Sequence, residues 1–262
     1  MIDRPTDHED AGVDDTATTR QPHAVLDLPS RRLKGLKIER LLDLASRPQP
    51  MRMLEIGTGS GGIAHYFGTH QQLRCEVDAV DVHDNRLVTE GYRYQQVTDT
   101  QLPFANDTFD VVLTNHVIEH VGDEQAQRAH LSEIHRVLRP RGVGYLAVPN
   151  RWMLVEPHYR LAFLSWLPRS IADAYVRLAQ KGQHYDCRPL TTGKLESMLT
   201  DTGFQFSHRH GEALLMTYGL ERPNALLYQW LFRRLPNVSF VLLRHAIPTL
   251  IYVLQRDNLE RP

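Results

Sequence analysis

The chain has 262 residues, of which 42% are hydrophobic and 23% are charged. This length and composition are typical of one large globular domain with a sizeable core. The 30 Lys and Arg residues balance 31 Asp and Glu residues to a net charge of -1. This balance excludes a nucleic-acid-binding protein that works by charge alone, so we expect no nucleic-acid partner.

We expect neither a signal peptide nor a membrane-spanning helix in this sequence. Residues 1–23 hold six acids and almost no apolar side chains, which predicts a disordered acidic tail and no signal peptide. Arginines and prolines interrupt the most apolar stretch, 224–254, so it lacks the ~20 apolar residues of a spanning helix. The two cysteines, Cys75 and Cys187, are too far apart in sequence for a metal knuckle or a redox pair. We therefore expect a cytoplasmic protein without a metal site.

Short apolar runs alternate with helical patterns along most of the chain. A helix capped by Ser30 and ending before Pro48 comes first. The predicted strands span 51–56, 77–82, 94–97, 109–113, 143–148, 204–210 and 249–254, and the predicted helices that follow span 63–68, 124–138 and 192–202. This order predicts a doubly wound α/β sheet whose ligand lies at the carboxyl ends of the strands.

Two segments interrupt the alternation. Residues 151–190 are rich in aromatic residues, Pro and Arg and show no clean period, which indicates an insertion over the sheet. Residues 212–247 predict amphipathic helices between the last two strands. We therefore expect a tail over 1–23 and one domain over 24–262 with two inserted helical segments.

The segment from Glu55 to Gly62, Glu-Ile-Gly-Thr-Gly-Ser-Gly-Gly, directly follows the first predicted strand. Glycines allow a tight turn and a close approach of the backbone to a ligand, and the helix that follows offers free N–H groups. The same glycines satisfy the dinucleotide fingerprint G-x-G-x-x-G, and Asp81 lies where the ribose-binding acid of an NAD site is expected. Taken alone, the loop leaves both an NAD(P)-binding oxidoreductase and other nucleoside-binding enzymes open.

Further motifs follow in order along residues 53–150. They are Asp81 at the end of the second strand, Asp99 before Leu-Pro-Phe, Phe-Asp-Val-Val from Phe109, Glu-His-Val from Glu119, and Leu-Arg-Pro-Arg-Gly from Leu138. In this series the chain resembles the class I S-adenosylmethionine-dependent methyltransferases, in the subgroup related to ubiquinone and menaquinone biosynthesis. The resemblance implies a Rossmann-like sheet of seven strands, mostly parallel, with the last strand antiparallel. A dehydrogenase would commonly need a proton-donor pair such as Tyr-x-x-x-Lys. No tyrosine in this chain has a lysine four residues on, which favours methyl transfer over the oxidoreductase.

The resemblance implies S-adenosylmethionine as the cofactor. Its binding residues would be Glu55, Gly57, Gly59, Gly61, Asp81, Val82, Asp99 and Asn115. The glycines would admit the ligand against bare backbone, and Asp81 would accept hydrogen bonds from both ribose hydroxyls. Val82 would press on the adenine face, and Asp99 would accept from the adenine amino group.

Methyl transfer requires an aligned acceptor and, for a hydroxyl acceptor, a base. We identify His120, His158 and Tyr159 as candidate catalytic residues: His120 follows the fourth strand, and the other two lie in the insertion. Each has a structural alternative, since His120 can brace its loop and the other two can pack a lid.

The acceptor is less well defined by the sequence than the cofactor. Aromatic residues between 152 and 166 either form local core or line a pocket for a ring-bearing or sugar-bearing small molecule. Residues 220–245 form either a helical flap or an interfacial element with apolar side chains toward lipid and arginines at headgroups. The second alternative implies peripheral membrane contact and a lipid-linked acceptor. We expect transfer to oxygen of a small-molecule, sugar or lipid-linked acceptor.

Overall fold

The computed structural model of the chain describes residues 27–221, 223–230, 234 and 247–256. The predicted acidic tail over 1–23 and most of residues 231–246 lie outside the described residues. The alternative interpretations of 220–245 therefore stay predictions. Within the described ranges, the structure has no helix with the length and apolar character needed to cross a membrane.

A seven-stranded sheet forms the centre of the molecule. The strands of the chain are β1 (Met51–Ile56), β2 (Cys75–Asp81), β3 (Arg93–Gln96), β4 (Phe109–Asn115), β5 (Leu138–Pro149), β6 (Val155–Glu156), β7 (Leu161–Ala162), β8 (Phe204–His208) and β9 (Thr249–Arg256). The order in the large sheet is β3-β2-β1-β4-β5-β9-β8, and β6 pairs separately with β7. The pairs among β1 to β5 are parallel, whereas β9 is antiparallel to both of its neighbours. These observations confirm the predicted α/β fold and the reversed last strand.

Helices cover both faces of this sheet. They are α1 (Leu28–Leu41), α2 (Gly62–Gly68), α3 (Glu124–Val137), α4 (Arg169–Leu178), α5 (Thr192–Thr202), α6 (His210–Glu221) and α7 (Leu226–Trp230). Residues of α3 and α5 pack on one face in a core that includes Val112, and residues of α1, α2 and α6 pack on the other face in a core that includes Val111. Successive side chains of a strand point to opposite faces. Both faces are therefore buried, as expected of a doubly wound sheet.

The start of α1 differs from the prediction. Asp27, not Ser30, is the N-cap, and its carboxylate accepts a hydrogen bond of 2.7 Å from the backbone N–H of Ser30. Pro29 lies in the first turn, where its missing N–H costs nothing. The cap thus lies three residues before the predicted one, and Ser30 itself is inside the helix.

The segment after β5 folds back on itself with a small core of its own. β6 and β7 form a short hairpin, and α4 follows. The core side chains are Tyr159, Leu164, Ala172, Val176, Tyr185 and Cys187. Asn150 and Leu190 pair in a parallel bridge, so the two ends of the segment meet at the carboxyl end of β5. We call residues 151–190 the insertion.

Candidate functional site

A cavity of about 670 Å³ opens at the carboxyl ends of β1, β2 and β4. Its wall combines residues that follow these strands with residues of α1, α6, the insertion and the start of β9. This volume is in the range of small-molecule sites, and the position is the one at which parallel α/β sheets bind ligands.

The glycine loop after β1 forms one side of the cavity. Gly57, Gly59 and Gly61 all have positive φ angles, of 76°, 52° and 79°. A Cβ atom at Gly57 would overlap a methyl carbon of Val117. Gly57 and Gly59 line the cavity, whereas Gly61 turns the chain into α2 and packs against Tyr92. The position of Gly61 thus favours shaping the loop over direct contact with a ligand.

Asp81 at the end of β2 faces the same loop. Its Oδ2 atom accepts a hydrogen bond of 2.8 Å from the backbone N–H of Gly59, and its Oδ1 atom accepts one of 3.3 Å from the backbone N–H of His83. Both Asp81 and Val82 line the cavity, and Val82 is 41% exposed. An ionised carboxylate offers about four acceptor sites. Asp81 therefore fixes the loop and has acceptor capacity left for a ligand.

Glu55, near the end of β1, accepts hydrogen bonds from the glycine loop and from the first turn of α2. Its Oε2 atom accepts hydrogen bonds of 2.7 Å from the Thr58 hydroxyl and 2.9 Å from the backbone N–H of Ala64. Burial raises the pKa of Glu55 to about 8, against the lowering effect of these hydrogen bonds and of the charge of Arg31. The site thus holds a carboxyl group whose protonation changes near neutral pH.

Polar side chains from the end of β4 line the next part of the wall. The Oδ1 atom of Asn115 is buried and has no hydrogen-bond partner among the residues described. His116 has a positive φ of 60°, unusual for a residue with a side chain, and its Nδ1 atom lies 3.2 Å from Oε1 of Glu119. An unpaired buried carbonyl oxygen is costly. A ligand that donates a hydrogen bond to Asn115 would remove that cost.

His120 and His158 lie side by side at the far end of the cavity. Their ring centroids are 5.4 Å apart, and both residues line the cavity wall. Nδ1 of His158 lies 2.7 Å from Oε1 of Glu156. Burial disfavours charge on His158, but the hydrogen bond and charge of Glu156, with help from Glu119 and Asp186, outweigh it and raise the pKa of His158. The structure thus brings together two of the three predicted catalytic residues.

Tyr159 and Asp99 are not among the residues that line the cavity. Tyr159 is buried in the core of the insertion, where its hydroxyl donates to Asp186 over 2.8 Å. Asp99 is exposed, and its carboxylate accepts from the backbone N–H of Gln101. The position of Tyr159 favours a structural role over the predicted catalytic one, and the position of Asp99 places it outside the cavity wall.

Sequence reasoning missed the basic residues of α1 that line the cavity. Arg31, Lys34 and Lys37 line the cavity. Burial lowers the pKa of Lys34 to about 8, and Lys37 donates hydrogen bonds to Thr217 and Glu221 of α6. Their spacing of three residues on a helix is the signal that would have found them, because it places all three on one face. The cavity wall thus includes a basic face of α1, and Arg31 packs against Gly62 at the end of the glycine loop.

Comparisons with known proteins agree with this geometry. The model of the family described as "Methyltransferase domain" matches residues 30–208, more than half of the chain. A ubiquinone biosynthesis O-methyltransferase of Parvibaculum lavamentivorans is 27% identical over 215 residues, which cover 76% of this chain and 73% of that protein. Another protein of that name, from Rhizobium rhizogenes, is 39% identical over 138 residues, which cover 48% and 53% of the two chains. The crystal structure of an S-adenosylmethionine-dependent methyltransferase from Mesorhizobium loti has a TM-score of 0.55 at 14% identity and covers 86% of this chain and 100% of that one.

Proposed function

The chain belongs to the methyltransferase-domain family and depends on S-adenosylmethionine, and from this premise we propose that it methylates an oxygen atom of a small-molecule, sugar or lipid-linked acceptor. Family membership resolves the ambiguity of the glycine loop against an NAD(P)-dependent oxidoreductase. The names of the relatives, O-methyltransferases of ubiquinone biosynthesis, support transfer to oxygen. The cavity supports a small-molecule acceptor, since its volume of about 670 Å³ is that of a small-molecule site and its wall includes both the glycine loop and two imidazoles.

The single observation that carries methyl transfer in this proposal is the hydrogen bond between Asp81 and the glycine loop, because it defines where the cofactor would bind. A ribose whose two hydroxyls donate to Asp81 would lie over Gly59, which has no side chain to obstruct it. Val82 supplies an exposed apolar surface beside it for a base. The unpaired Oδ1 atom of Asn115 and the guanidinium of Arg31, which both line the cavity, suit the amino and carboxylate groups of the methionine part. The residues present therefore fit this cofactor.

When bound, S-adenosylmethionine supplies a methyl group that its positive sulfur makes electrophilic. The protein's main task is then to hold the acceptor oxygen in line, and such positioning supplies ~7–11 kcal/mol. We assign this task, and removal of the hydroxyl proton, to His120 and His158. Glu156 supports the second role, because its carboxylate stabilises a proton on His158.

The first experiment tests cofactor binding at Asp81. We expect Asp81→Asn to weaken S-adenosylhomocysteine binding by about 1.5–3 kcal/mol for each ribose hydroxyl, because a charged acceptor is replaced by a neutral one. Isothermal calorimetry measures the affinity, and circular dichroism checks the fold. Asp84→Ala is the matched control, since Asp84 is an exposed acid that pairs with Arg86 outside the cavity wall. Equal affinity of Asp81→Asn and wild type would refute the assignment.

The second experiment identifies the acceptor. A cell extract receives the protein and S-adenosylmethionine with an isotopically labelled methyl group, and mass spectrometry searches for products that carry the label. Asp81→Asn serves as the negative control, and a labelled compound counts as a product only when this variant does not form it. We expect a labelled methyl ether or ester. A labelled amine or carbon centre would contradict the oxygen acceptor but not methyl transfer.

A further inference from the structure

We propose that His120, His158 and Cys187 form a binding site for a divalent cation of the zinc class at the far end of the cavity. Each of the three residues offers one ligand atom, and these atoms all lie within 4.8 Å of one another. Two imidazoles and a thiolate are ligands that Zn²⁺ prefers.

The distances within this cluster suit a tetrahedral ion. Sγ of Cys187 lies 3.9 Å from Nδ1 of His120 and 3.7 Å from Nδ1 of His158. Ligands at ordinary Zn–S and Zn–N distances from one tetrahedral ion are about 3.6 Å apart. The two sulfur–nitrogen distances are within a few tenths of an ångström of this value, and the third pair of ligand atoms lies within 4.8 Å.

Buried carboxylates flank both imidazoles. Glu156 is 0% exposed and lies against Nδ1 of His158, and Glu119 is 1% exposed with Oε1 at 4.0 Å from Nε2 of His120. For His120, Glu119 is near Nε2 and Cys187 is near Nδ1, so a carboxylate on one nitrogen is compatible with an ion on the other. For His158, both Glu156 and Cys187 approach Nδ1, so the imidazole has to offer Nε2 to the ion while Nδ1 keeps its hydrogen bond to Glu156. Oε2 of Glu119 is buried without a hydrogen-bond partner in the described part of the chain. A dication would offset the negative charge of these two buried acids, and its binding would release the proton that the Cys187 thiol donates to Asp186.

Three protein ligands leave a fourth position on a tetrahedral ion. Such an open position is typical of catalytic rather than structural zinc sites. His120 and His158 line the cavity, whereas Cys187 is buried behind them, so the fourth position would face the cavity. We assign an oxygen of the acceptor to it. With the ion bound, both imidazoles are ligands, and the acceptor hydroxyl loses its proton to solvent because the ion lowers its pKa. This replaces the proton removal that is assigned to the two imidazoles in the ion-free protein. This role, though not ion binding itself, rests on the proposed function.

Sequence spacing gave no sign of this site. Cys187 lies 67 residues after His120 and 29 after His158. The site forms because the backbone N–H of Arg188 donates to the backbone carbonyl of Glu119 over 2.8 Å, which joins the end of the insertion to the segment after β4. The expectation of no metal site followed from cysteine spacing alone.

The test uses the full chain without a histidine tag, reduced and treated with a chelator, and then titrated with Co²⁺ and with Zn²⁺. We expect one Co²⁺ per chain with a thiolate-to-cobalt absorption band, and displacement of Co²⁺ by Zn²⁺. Absence of the thiolate band in the wild-type protein would overturn the proposal.

Matched variants locate the ion. Cys187→Ser should lose the thiolate band, whereas Cys75→Ser, which changes a cysteine on β2, should keep it. His158→Gln, which leaves both thiols in place, should weaken Zn²⁺ binding. Glu156→Gln should weaken it by ~10–100-fold, since it removes only the orienting carboxylate. Loss of the band in Cys75→Ser, or unchanged Zn²⁺ affinity in a folded His158→Gln, would contradict the site.

S-adenosylhomocysteine binding, measured on the same samples, separates this proposal from the function. A protein that forms the cobalt band but does not bind S-adenosylhomocysteine would keep the metal site and refute the proposed cofactor site. A protein that binds S-adenosylhomocysteine but does not form the cobalt band would keep the proposed cofactor site and refute the metal site.

Discussion

Gly57 shows how closely a single residue controls the cofactor side of the cavity. Its φ of 76° is in the left-handed region, and a Cβ atom there would overlap the side chain of Val117. Both constraints arise from the turn that carries the chain from β1 into α2. The backbone therefore requires a glycine at this position, independently of any ligand.

We expect Gly57→Ala to weaken S-adenosylhomocysteine binding and to lower the free energy of unfolding by about 1–3 kcal/mol, because strain and overlap coincide. Gly193→Ala is the control: Gly193 lies in α5, and a Cβ atom added there would meet nothing within 4 Å. A gain of about 0.5–1 kcal/mol is expected there, since alanine favours a helix. Urea unfolding measures both values, and a neutral Gly57→Ala would contradict the argument.

Glu55 gives the stability of the protein a pH dependence with a defined sign. Its pKa is about 8 in the folded state, against an ordinary value of 4.5. Between these values the folded state holds a proton that the unfolded state has released. The free energy of unfolding therefore falls as pH rises through this interval, through the contribution of this group.

Glu55→Gln removes that titration and leaves an amide oxygen to accept the hydrogen bonds from Thr58 and Ala64. We expect the variant to gain on the order of a few kcal/mol relative to wild type between about pH 5 and about pH 9. Urea unfolding of the ligand-free protein at both pH values measures this change. Glu76→Gln, at an exposed position on β2, should show none. Parallel pH curves for Glu55→Gln and wild type would disprove the assignment.

The sequence located residues of the cavity wall best where the motif is local. Gly57, Gly59 and Asp81 reach the cavity because they follow directly from β1 and β2, whose ends the apolar pattern defines. Tyr159 could not be assigned in this way, because its partner Asp186 lies 27 residues further along the chain. Side-chain partners across the insertion depend on tertiary structure, which the sequence pattern does not contain.

At the scale of elements, Asn150 connects β5, the insertion and the approach to β9. It is fully buried; its side-chain amide donates to the backbone carbonyl of Ile247, and its side-chain oxygen accepts from the backbone N–H of Trp152, both over 3.0 Å. One side chain thus holds three chain segments together beside the cavity.

We expect Asn150→Ala to destabilise the protein by about 1–3 kcal/mol for each buried group that it leaves unpaired. Asn106→Ala, an exposed asparagine that accepts from Arg136, should change stability by less than about 0.5 kcal/mol. Thermal and urea unfolding compare the two. Equal stability of both variants would show that the three segments do not depend on Asn150.

Element boundaries were predicted best where burial and stop signals coincide. β1 and α5 begin and end at the predicted residues. β5 begins at Leu138 rather than at 143, because the chain enters the sheet as soon as α3 ends. α1 was predicted to start late because Ser30 competes as a cap with Asp27, and only the local geometry decides between them.

For the whole molecule, the cavity wall combines helices of one layer with the insertion and the sheet, so ligand binding should restrain distant parts of the chain together. We expect S-adenosylhomocysteine to slow amide hydrogen exchange by local opening in α1 and in the glycine loop, which line the cavity. Amides of α5, which lies outside the wall, should change only if they exchange by global unfolding. Mass spectrometry of exchanged peptides tests this, and protection confined to the glycine loop would contradict it.

The reversed direction of β9 has a consequence for how such a chain can diversify. Because β9 runs opposite to its neighbours, the connection from β8 leaves and re-enters the sheet on the same side, and His210 and Ile247 at its two ends both line the cavity. A change in the length of this connection can therefore alter the wall of the cavity without displacing a strand of the sheet. We therefore expect a longer or shorter connection to change the cavity wall near His210 and Ile247 and to leave the glycine loop and Asp81 in place.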